Sequence, residues 1–193
     1  MLRIIAGAHR GRKLETAPGN TLRPTAERVR EAIFNKLTHG LLTNSGAPLT
    51  DVHVLDVFAG TGALGFEALS RGALRVIFLE NDAATARLIK RNAEHLGAAN
   101  TISVIRRDAT KPGPARDAAS LVLMDAPYRS GITAASLGAL HQGGWIGDGA
   151  IVVVEVARDE DLNPPTGFEV VDDRRYGAAR IIFLRSPAAS GAD

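Results

Sequence analysis

Residues 123–128 read Leu-Met-Asp-Ala-Pro-Tyr. An apolar run ends on a carboxylate, then a stiff turn, then an aromatic ring. At a strand end, Asp125 can accept a hydrogen bond from an amine, and a backbone carbonyl of the turn can accept a second. Two acceptors on one amine orient its nitrogen and favour the charge that develops as it attacks. Pro127 stiffens the turn. Tyr128 offers a face for a base that has left its own stack. Alone, the stretch reads equally well as a strand-ending turn with a packing aromatic.

A second group lies upstream, in LDVFAGTGALGFEAL, where Gly60, Gly62 and Gly65 satisfy G-x-G-x-x-G between a strand and a helix. Such a loop lets backbone approach a ligand closely, and by itself it fits a dinucleotide site as well. Asp56 stands four residues before the first glycine, Glu80 ends the next strand and Asp108 the one after. A carboxylate near the loop would repel a pyrophosphate. S-adenosylmethionine has no phosphate and carries an ammonium and a sulfonium, so an acid-lined crevice suits it. Glu80 is expected on the ribose hydroxyls and Asp108 on the adenine amino group. The plain alternative is that these acids merely end strands.

The elements that would position these groups follow from pattern. VHVLDVFA (52–59), LRVIFLE (74–80), TISVIRRD (101–108), SLVLMD (120–125) and AIVVVEV (150–156) are short apolar strands. Helices are expected over LGFEALSRG, AATARLIKRNAEHLG and 132–140. Strands separated by helices predict a parallel sheet covered on both faces. The end, GFEVVDDRRYGAARIIFLR, reads as two strands joined near Tyr176–Gly177, an antiparallel hairpin at one edge. The expectation is therefore a mostly parallel seven-stranded α/β sheet of Rossmann-like type. Upstream, LRIIA and RKLET flank GAHRGR as a β-hairpin, and Thr25 is read as the cap of a helix carrying Val29, Ile33, Phe34 and Leu37 on one face. The loop TNSGAPLT (43–50) is the expected boundary between an extension, 1–48, and a catalytic domain, 49–187. Residues 188–193 are read as a disordered tail.

The chain has 193 residues, 45% of them apolar, and no cysteine, which excludes disulfides and thiolate metal sites. His39, His53, His95 and His141 have no ligand spacing, and no metal is expected. No run approaches a membrane span, no secretory signal opens the chain, and a cytoplasmic protein is expected. Nothing in the pattern demands a dimer, so a monomer is expected. Residues 1–48 hold eight Lys/Arg against three acids, a net of +5; the rest holds 15 against 18, a net of −3. A basic head on a mildly acidic body suits a polyanion.

These motifs together resemble the class I S-adenosylmethionine-dependent methyltransferases that act on amines, whose fourth-strand motif is Asp/Asn-Pro-Pro-Tyr/Phe. More narrowly, RIIAGAHRGRKLETAPGNTLRPTAERVREAIFNKL (3–37), VLDVFAGTGALGFEALSRGA (54–73), FLENDAATARLIKRN (78–92) and RRYGAARIIFL (174–184) resemble the ribosomal RNA small subunit methyltransferase D family. The resemblance implies methylation of a guanine N2 in 16S rRNA within an assembled or partly assembled small ribosomal subunit. It implies Asp125, Ala126, Pro127 and Tyr128 as the catalytic turn. It places Asp56, Phe58, Gly60, Gly62, Glu80 and Asp108 on S-adenosylmethionine, with the Arg23-Pro24-Thr25 segment and Arg28 closing over the cofactor or the target backbone. Arg3, Arg10, Arg12, Lys13 and Arg23 would contact RNA phosphates. Ala126 departs from the family proline: it still supplies a carbonyl but does not lock its own φ. Rival readings are an adenine-N6 or protein-amide methyltransferase, a nicotinamide-dependent oxidoreductase, and a non-catalytic ribosome-assembly factor.

Overall fold

The apolar runs pair side by side as seven strands. In the computed structural model, which describes residues 2–17, 24–42 and 49–188, these are β1 (His53–Val57), β2 (Arg75–Glu80), β3 (Ile102–Arg106), β4 (Ala119–Asp125), β5 (Ile146–Ala157), β6 (Glu169–Tyr176) and β7 (Ala179–Arg185). Their order across the sheet is β3-β2-β1-β4-β5-β7-β6. The first five are parallel to one another, and β7 is antiparallel to both β5 and β6. The switch between β1→β2 and β1→β4 opens a crevice at the carboxyl edge, the usual ligand position in such sheets. β5 begins four residues earlier than its apolar run, because Ile146 pairs with Ala119 across an irregularity in the ladder.

Alternation along the strands divides the apolar side chains between two cores. One face carries Val54, Val76, Phe78, Leu121, Leu123, Ile151 and Phe183 under three helices. These helices are α1 (Pro24–Lys36), α2 (Ala63–Ser70) and α3 (Ala83–Leu96). The other face carries Leu55, Val57, Val122, Met124, Val152 and Val154 against Leu137 and Leu140 of α4 (Ile132–Gln142). α1 starts at Pro24, so Thr25 lies inside its first turn and not at the cap; its side chain falls outside the described residues. Proline suits that opening turn because its missing N–H has no helical partner there. Arg23, the loop 43–48 and residues 189–193 of the expected tail also lie outside the described residues.

The basic head does not project outward. Leu2, Ile4 and Leu14 share the core of the α1–α3 face. The hairpin is minimal, with one bridge (Arg3 to Lys13) and backbone bonds between Ile4 and Arg12 and between Leu14 and Leu2. It is bound to α2 through backbone groups. The buried Glu67 carboxylate accepts from the Ile5 and Ala6 N–H groups at 2.8 and 3.1 Å. Arg71 Nε donates to it at 2.7 Å, and Arg30 Nε of α1 lies 3.6 Å away. Ser70 completes the seam: its carbonyl accepts from the Ala8 N–H and its hydroxyl from the His9 N–H. Gly7 is required here, since a Cβ on it would stand 1.7 Å from the Ser70 carbonyl oxygen, and its φ is +83°.

Glu67→Ala would leave two arginines and two N–H groups without their shared buried partner. A loss of about 3–5 kcal/mol is expected, read by urea unfolding, with Glu67→Gln falling between the two.

Candidate active site

Each helix that follows β1 and β2 runs back from the carboxyl edge, so the loops preceding the helices converge on one cleft of about 880 Å³. Phe58, Glu80, Asp108, Asp125, Ala126, Pro127 and Tyr128 line it, together with Asn81, Arg107 and Thr110. Three residues expected on the cofactor, Phe58, Glu80 and Asp108, therefore share one cleft with the whole of the expected catalytic turn, 125–128.

Asp56 is placed differently from expectation. It is 1% exposed, belongs to the α1–α3 face and does not line the cleft. Its Oδ2 accepts from the Gly65 N–H at 2.8 Å, satisfying one of the donors left open at the start of α2. Burial pushes its pKa well up, with Asp125 and Glu80 adding to the rise against the Gly65 bond. It therefore seats the loop and the helix, and the acidity of the cleft comes from Glu80, Asp108 and Asp125.

The three glycines serve three local needs. Gly60 has φ +54°, donates its N–H to Glu80 Oε2 at 2.9 Å, and has only the Phe58 carbonyl near its missing Cβ, at 3.8 Å. Of the three it is the one whose Cβ position is free of clashes; none of them is among the residues that line the cleft. A Cβ on Gly62 would meet the Phe66 ring at 2.6 Å, and one on Gly65 the Phe78 ring at 2.3 Å. These two allow α2 to pack on β2. Phe58, a residue with a side chain, also adopts φ +59°. That left-handed conformation puts its ring on the cleft wall at the strand end.

Glu80 holds the glycine loop through Oε2 and its own turn into α3 through Oε1, which accepts from the Asp82 N–H at 2.9 Å; each oxygen keeps a lone pair for a ligand hydroxyl. Asp108 Oδ1 accepts from the Thr110 N–H and hydroxyl, both at 2.8 Å, and these bonds hold its pKa below the usual carboxylate range. It is a charged acceptor at neutral pH. Asp125 opens to solvent within the cleft. Yet the surrounding walls strip much of its hydration, and that desolvation, reinforced by Glu155, pushes its pKa up to about 7.

The turn after Asp125 is clamped from the end of β5. Tyr128 Oη donates to Glu155 Oε1 at 2.5 Å, and the Arg129 N–H to Glu160 Oε2 at 2.9 Å. The Arg129 guanidinium bonds both oxygens of Asp159. The Ser130 hydroxyl donates to the Pro127 carbonyl at 2.6 Å, which leaves the Ala126 carbonyl as the acceptor the turn can offer. Sequence reading missed Glu155 and Arg107. The visible signal for Glu155 is a lone acid inside AIVVVEV; Arg107 sits beside Asp108 in the arginine pair of TISVIRRD.

Arg23 and the Thr25 side chain lie outside the described residues, and Arg28 is exposed on α1 and absent from the cleft lining. Among the described basic residues of the head, Arg30 is buried against Glu67 and Lys36 pairs with Asp172 at 2.8 Å; of the exposed ones, two more are engaged. Arg3 pairs with Glu27 at 3.1 Å, and Arg12 donates to the His95 carbonyl at the end of α3 at 2.5 Å. Arg10, Lys13 and Arg28 are the head's cations for which no side-chain partner is found among the described residues. Arg10 and Lys13 flank the contacts of the head with Ser70 at the end of α2 and with His95 at the end of α3.

Sheet order, glycine loop and cleft are those of a Rossmann-like methyltransferase fold. The solved structures similar to the chain include "Putative methyltransferase yhhF" from Escherichia coli, with a TM-score of 0.81 at 32% identity over 97% of this chain and 98% of that one. The family profile described as "Conserved hypothetical protein 95" matches residues 2–185, and the chain belongs to that family. Its relatives include "Ribosomal RNA small subunit methyltransferase D" of Haemophilus influenzae, 33% identical over 91% of this chain and 89% of the relative. The protein of the same name from Escherichia coli K12 is 37% identical over 80% of this chain and 74% of the relative.

Because the Cβ of a residue at 62 would strike Phe66, Gly62→Ala is expected to lower stability by about 1–3 kcal/mol. A drop in the thermal midpoint in the absence of any ligand is the readout, and it separates a packing role from a ligand-facing one.

Proposed function

We propose that the protein is an S-adenosylmethionine-dependent rRNA methyltransferase, with the exocyclic N2 of a guanine in 16S rRNA as its target. The observation that carries the reading is the joint placement of Asp125, the Ala126 carbonyl and Tyr128 with Glu80 and Asp108 in one cleft. Three acids and one cation, Arg107, suit a donor with an ammonium and a sulfonium better than a pyrophosphate. Gly60 has a Cβ position free of clashes, and one oxygen of Asp108 remains to receive an amino group. The residues present fit the cofactor. When bound, it supplies an electrophilic methyl group.

The chain supplies the rest. Asp125 and the Ala126 carbonyl each accept an N–H of the target amine and turn its nitrogen toward the donor side of the cleft. Tyr128, held by Glu155, presents its ring to a flipped base. As the donor's sulfur–methyl bond gives way to the new N–C bond, leaving a neutral thioether, the nitrogen would become strongly acidic and Asp125 would take its proton. Residues 1–48 act as the RNA-contacting extension of a catalytic domain formed by 49–187, with Arg10 and Lys13 on phosphates. The working location is the cytoplasm, where the small subunit is built.

The test is transfer of labelled methyl from S-adenosylmethionine to small subunits and to naked 16S rRNA, both from cells lacking the gene, followed by nucleoside mass analysis. N2-methylguanosine, with subunits the better substrate, is expected. Methyladenosine overturns the base assignment, and no transfer overturns the activity.

Asp125→Ala should lower the transfer rate by roughly 10²–10³, with S-adenosylmethionine affinity within a few-fold by calorimetry. Replacing Arg10 and Lys13 together by alanine should reduce the salt slope of RNA binding by about 0.7–0.9 for each phosphate that is no longer neutralised, with cofactor binding unchanged.

A further inference from the structure

Glu155 has no packing reason to be where it is. It stands in the otherwise apolar run 150–156 of β5, with Val154 and Val156 beside it and Ile181 opposite on β7. It is aligned with Asp125 at the last pair of the parallel β4–β5 ladder. Neighbouring parallel strands lie about 4.8 Å apart and aligned residues share a face, so two carboxylates stand side by side at the carboxyl edge. Glu155 does not line the cleft; Tyr128, 43% exposed on the cleft wall, stands in front of it with its hydroxyl on Oε1.

We propose that Glu155 is a positioning residue for methyl transfer, which fixes the Tyr128 ring and sets the protonation of Asp125. The proposal rests on the reading of Asp125 as acceptor of the target amine.

A tyrosine on a turn ordinarily rotates about χ1, and the bond to a strand-borne carboxylate removes that rotation before a base arrives, so less ordering is left for binding. Two neighbouring carboxylates cannot both ionise freely, and one proton stays on the pair through the lower of its two titration steps. Desolvation raises the pKa of both, Glu155 raises Asp125 further, and the Tyr128 bond counteracts the rise at Glu155. The Tyr128 bond steadies the ionised form of Glu155 and so favours the proton on Asp125. Other charges nearby are already committed. Asp56 of β1 is bonded to Gly65 and Glu80 of β2 to the glycine loop. Arg129 is held by Asp159, Glu160 accepts from the Arg129 and Ala157 N–H groups, and Arg180 of β7 pairs with Asp173. Arg107 and Asp108 face the pair across the cleft from the end of β3.

The sign follows. Asp125 accepts an N–H only when unprotonated, so the rate rises with pH through the raised pKa of Asp125. Glu155→Gln keeps an acceptor for Tyr128 and removes the neighbouring charge. Asp125 then titrates lower, and the rising limb moves to lower pH. Glu155→Ala removes both functions.

The experiment is the pH profile of single-turnover methylation on small subunits for wild type, Glu155→Gln, Glu155→Ala, Tyr128→Phe and Asp125→Ala, with thermal midpoints and cofactor affinities measured alongside. Expected are a limb displaced by about half a unit or more to lower pH in Glu155→Gln, and a KM for RNA raised roughly tenfold in Glu155→Ala and restored by glutamine. A Glu155→Gln profile overlying wild type, or equal KM values in the alanine and glutamine variants, overturns the proposal. If Glu155→Ala does not fold, the glutamine and Tyr128→Phe profiles decide. In Tyr128→Phe the loss of the hydroxyl raises Glu155, so its limb must also fall below wild type; an unmoved limb counts against the proposal. An active Asp125→Ala would overturn the acceptor reading itself, whereas an inactive one beside unmoved Glu155 variants overturns only the inference about Glu155.

Discussion

One buried carboxylate fixes how the halves of the protein meet. Glu67 is wholly inside, and its two oxygens receive backbone from the amino-terminal strap, a guanidinium from its own helix and another from α1. An isolated ion at such depth would cost several kcal/mol, which the surrounding donors offset only while all are in place. α2 is the helix that opens at the glycine loop. The same residue that anchors the strap therefore also sets where the loop stands against β2, and the loop's side of the cleft cannot shift without disturbing it. Burial lowers the pKa of Arg30, and the nearby Glu67 charge counteracts that, so both partners depend on the contact.

The acids near the cleft have separate tasks, divided by depth. Asp56, at the bottom, gives its acceptor to the start of α2 and is driven toward its neutral form. Glu80, half-buried, spends one bond on the glycine loop and one on the turn into α3. Asp108, at the mouth, is kept charged by Thr110. Asp125 sits between these extremes, solvent-facing but hemmed in. That gradient lets like-signed groups crowd one crevice without forcing all of them to ionise together.

Most of the scaffold is legible in the sequence because its signals are local. Apolar runs mark six strands nearly to their limits, Gly97 closes α3 in a left-handed cap, and Tyr176–Gly177 marks the hairpin between β6 and β7. What fails depends on direction or on pairing between distant segments. Asp56 and Val57 are adjacent letters, but strand alternation sends one under the helices and the other to the α4 face, so an acid expected to face ligand faces the core. Gly62 looks ligand-facing for the same reason, and only its distance from Phe66 shows otherwise. Glu155 and Asp125 are 30 residues apart in the sequence. Their partnership exists only through the β4–β5 register, which no pattern within either strand reveals. Thr25 falls inside the first turn of α1, and not at its cap, because proline opens the helix.

For the head, composition carries the sign of its charge but not its posture. Its charge suits a polyanion, but its apolar residues and Glu67 lay it flat along α2 and α3, and Arg12 is drawn to the negative end of α3, where unpaired carbonyls attract a cation. The strap then climbs along α3: Glu15 is bonded to Asn92, whose amide also reaches the Thr61 carbonyl in the glycine loop. Arg10 ends up beside Ser70 at the far end of α2, about 12 Å from the loop by the length of that helix at 1.5 Å per residue, with Lys13 on the same strap. On the RNA reading, a substrate that touches both must span that distance with fixed shape. A single extended strand would lose too much freedom in doing so, whereas a folded RNA surface has already given it up. On that reading the separation between cleft and cations itself favours structured RNA, before any base is read.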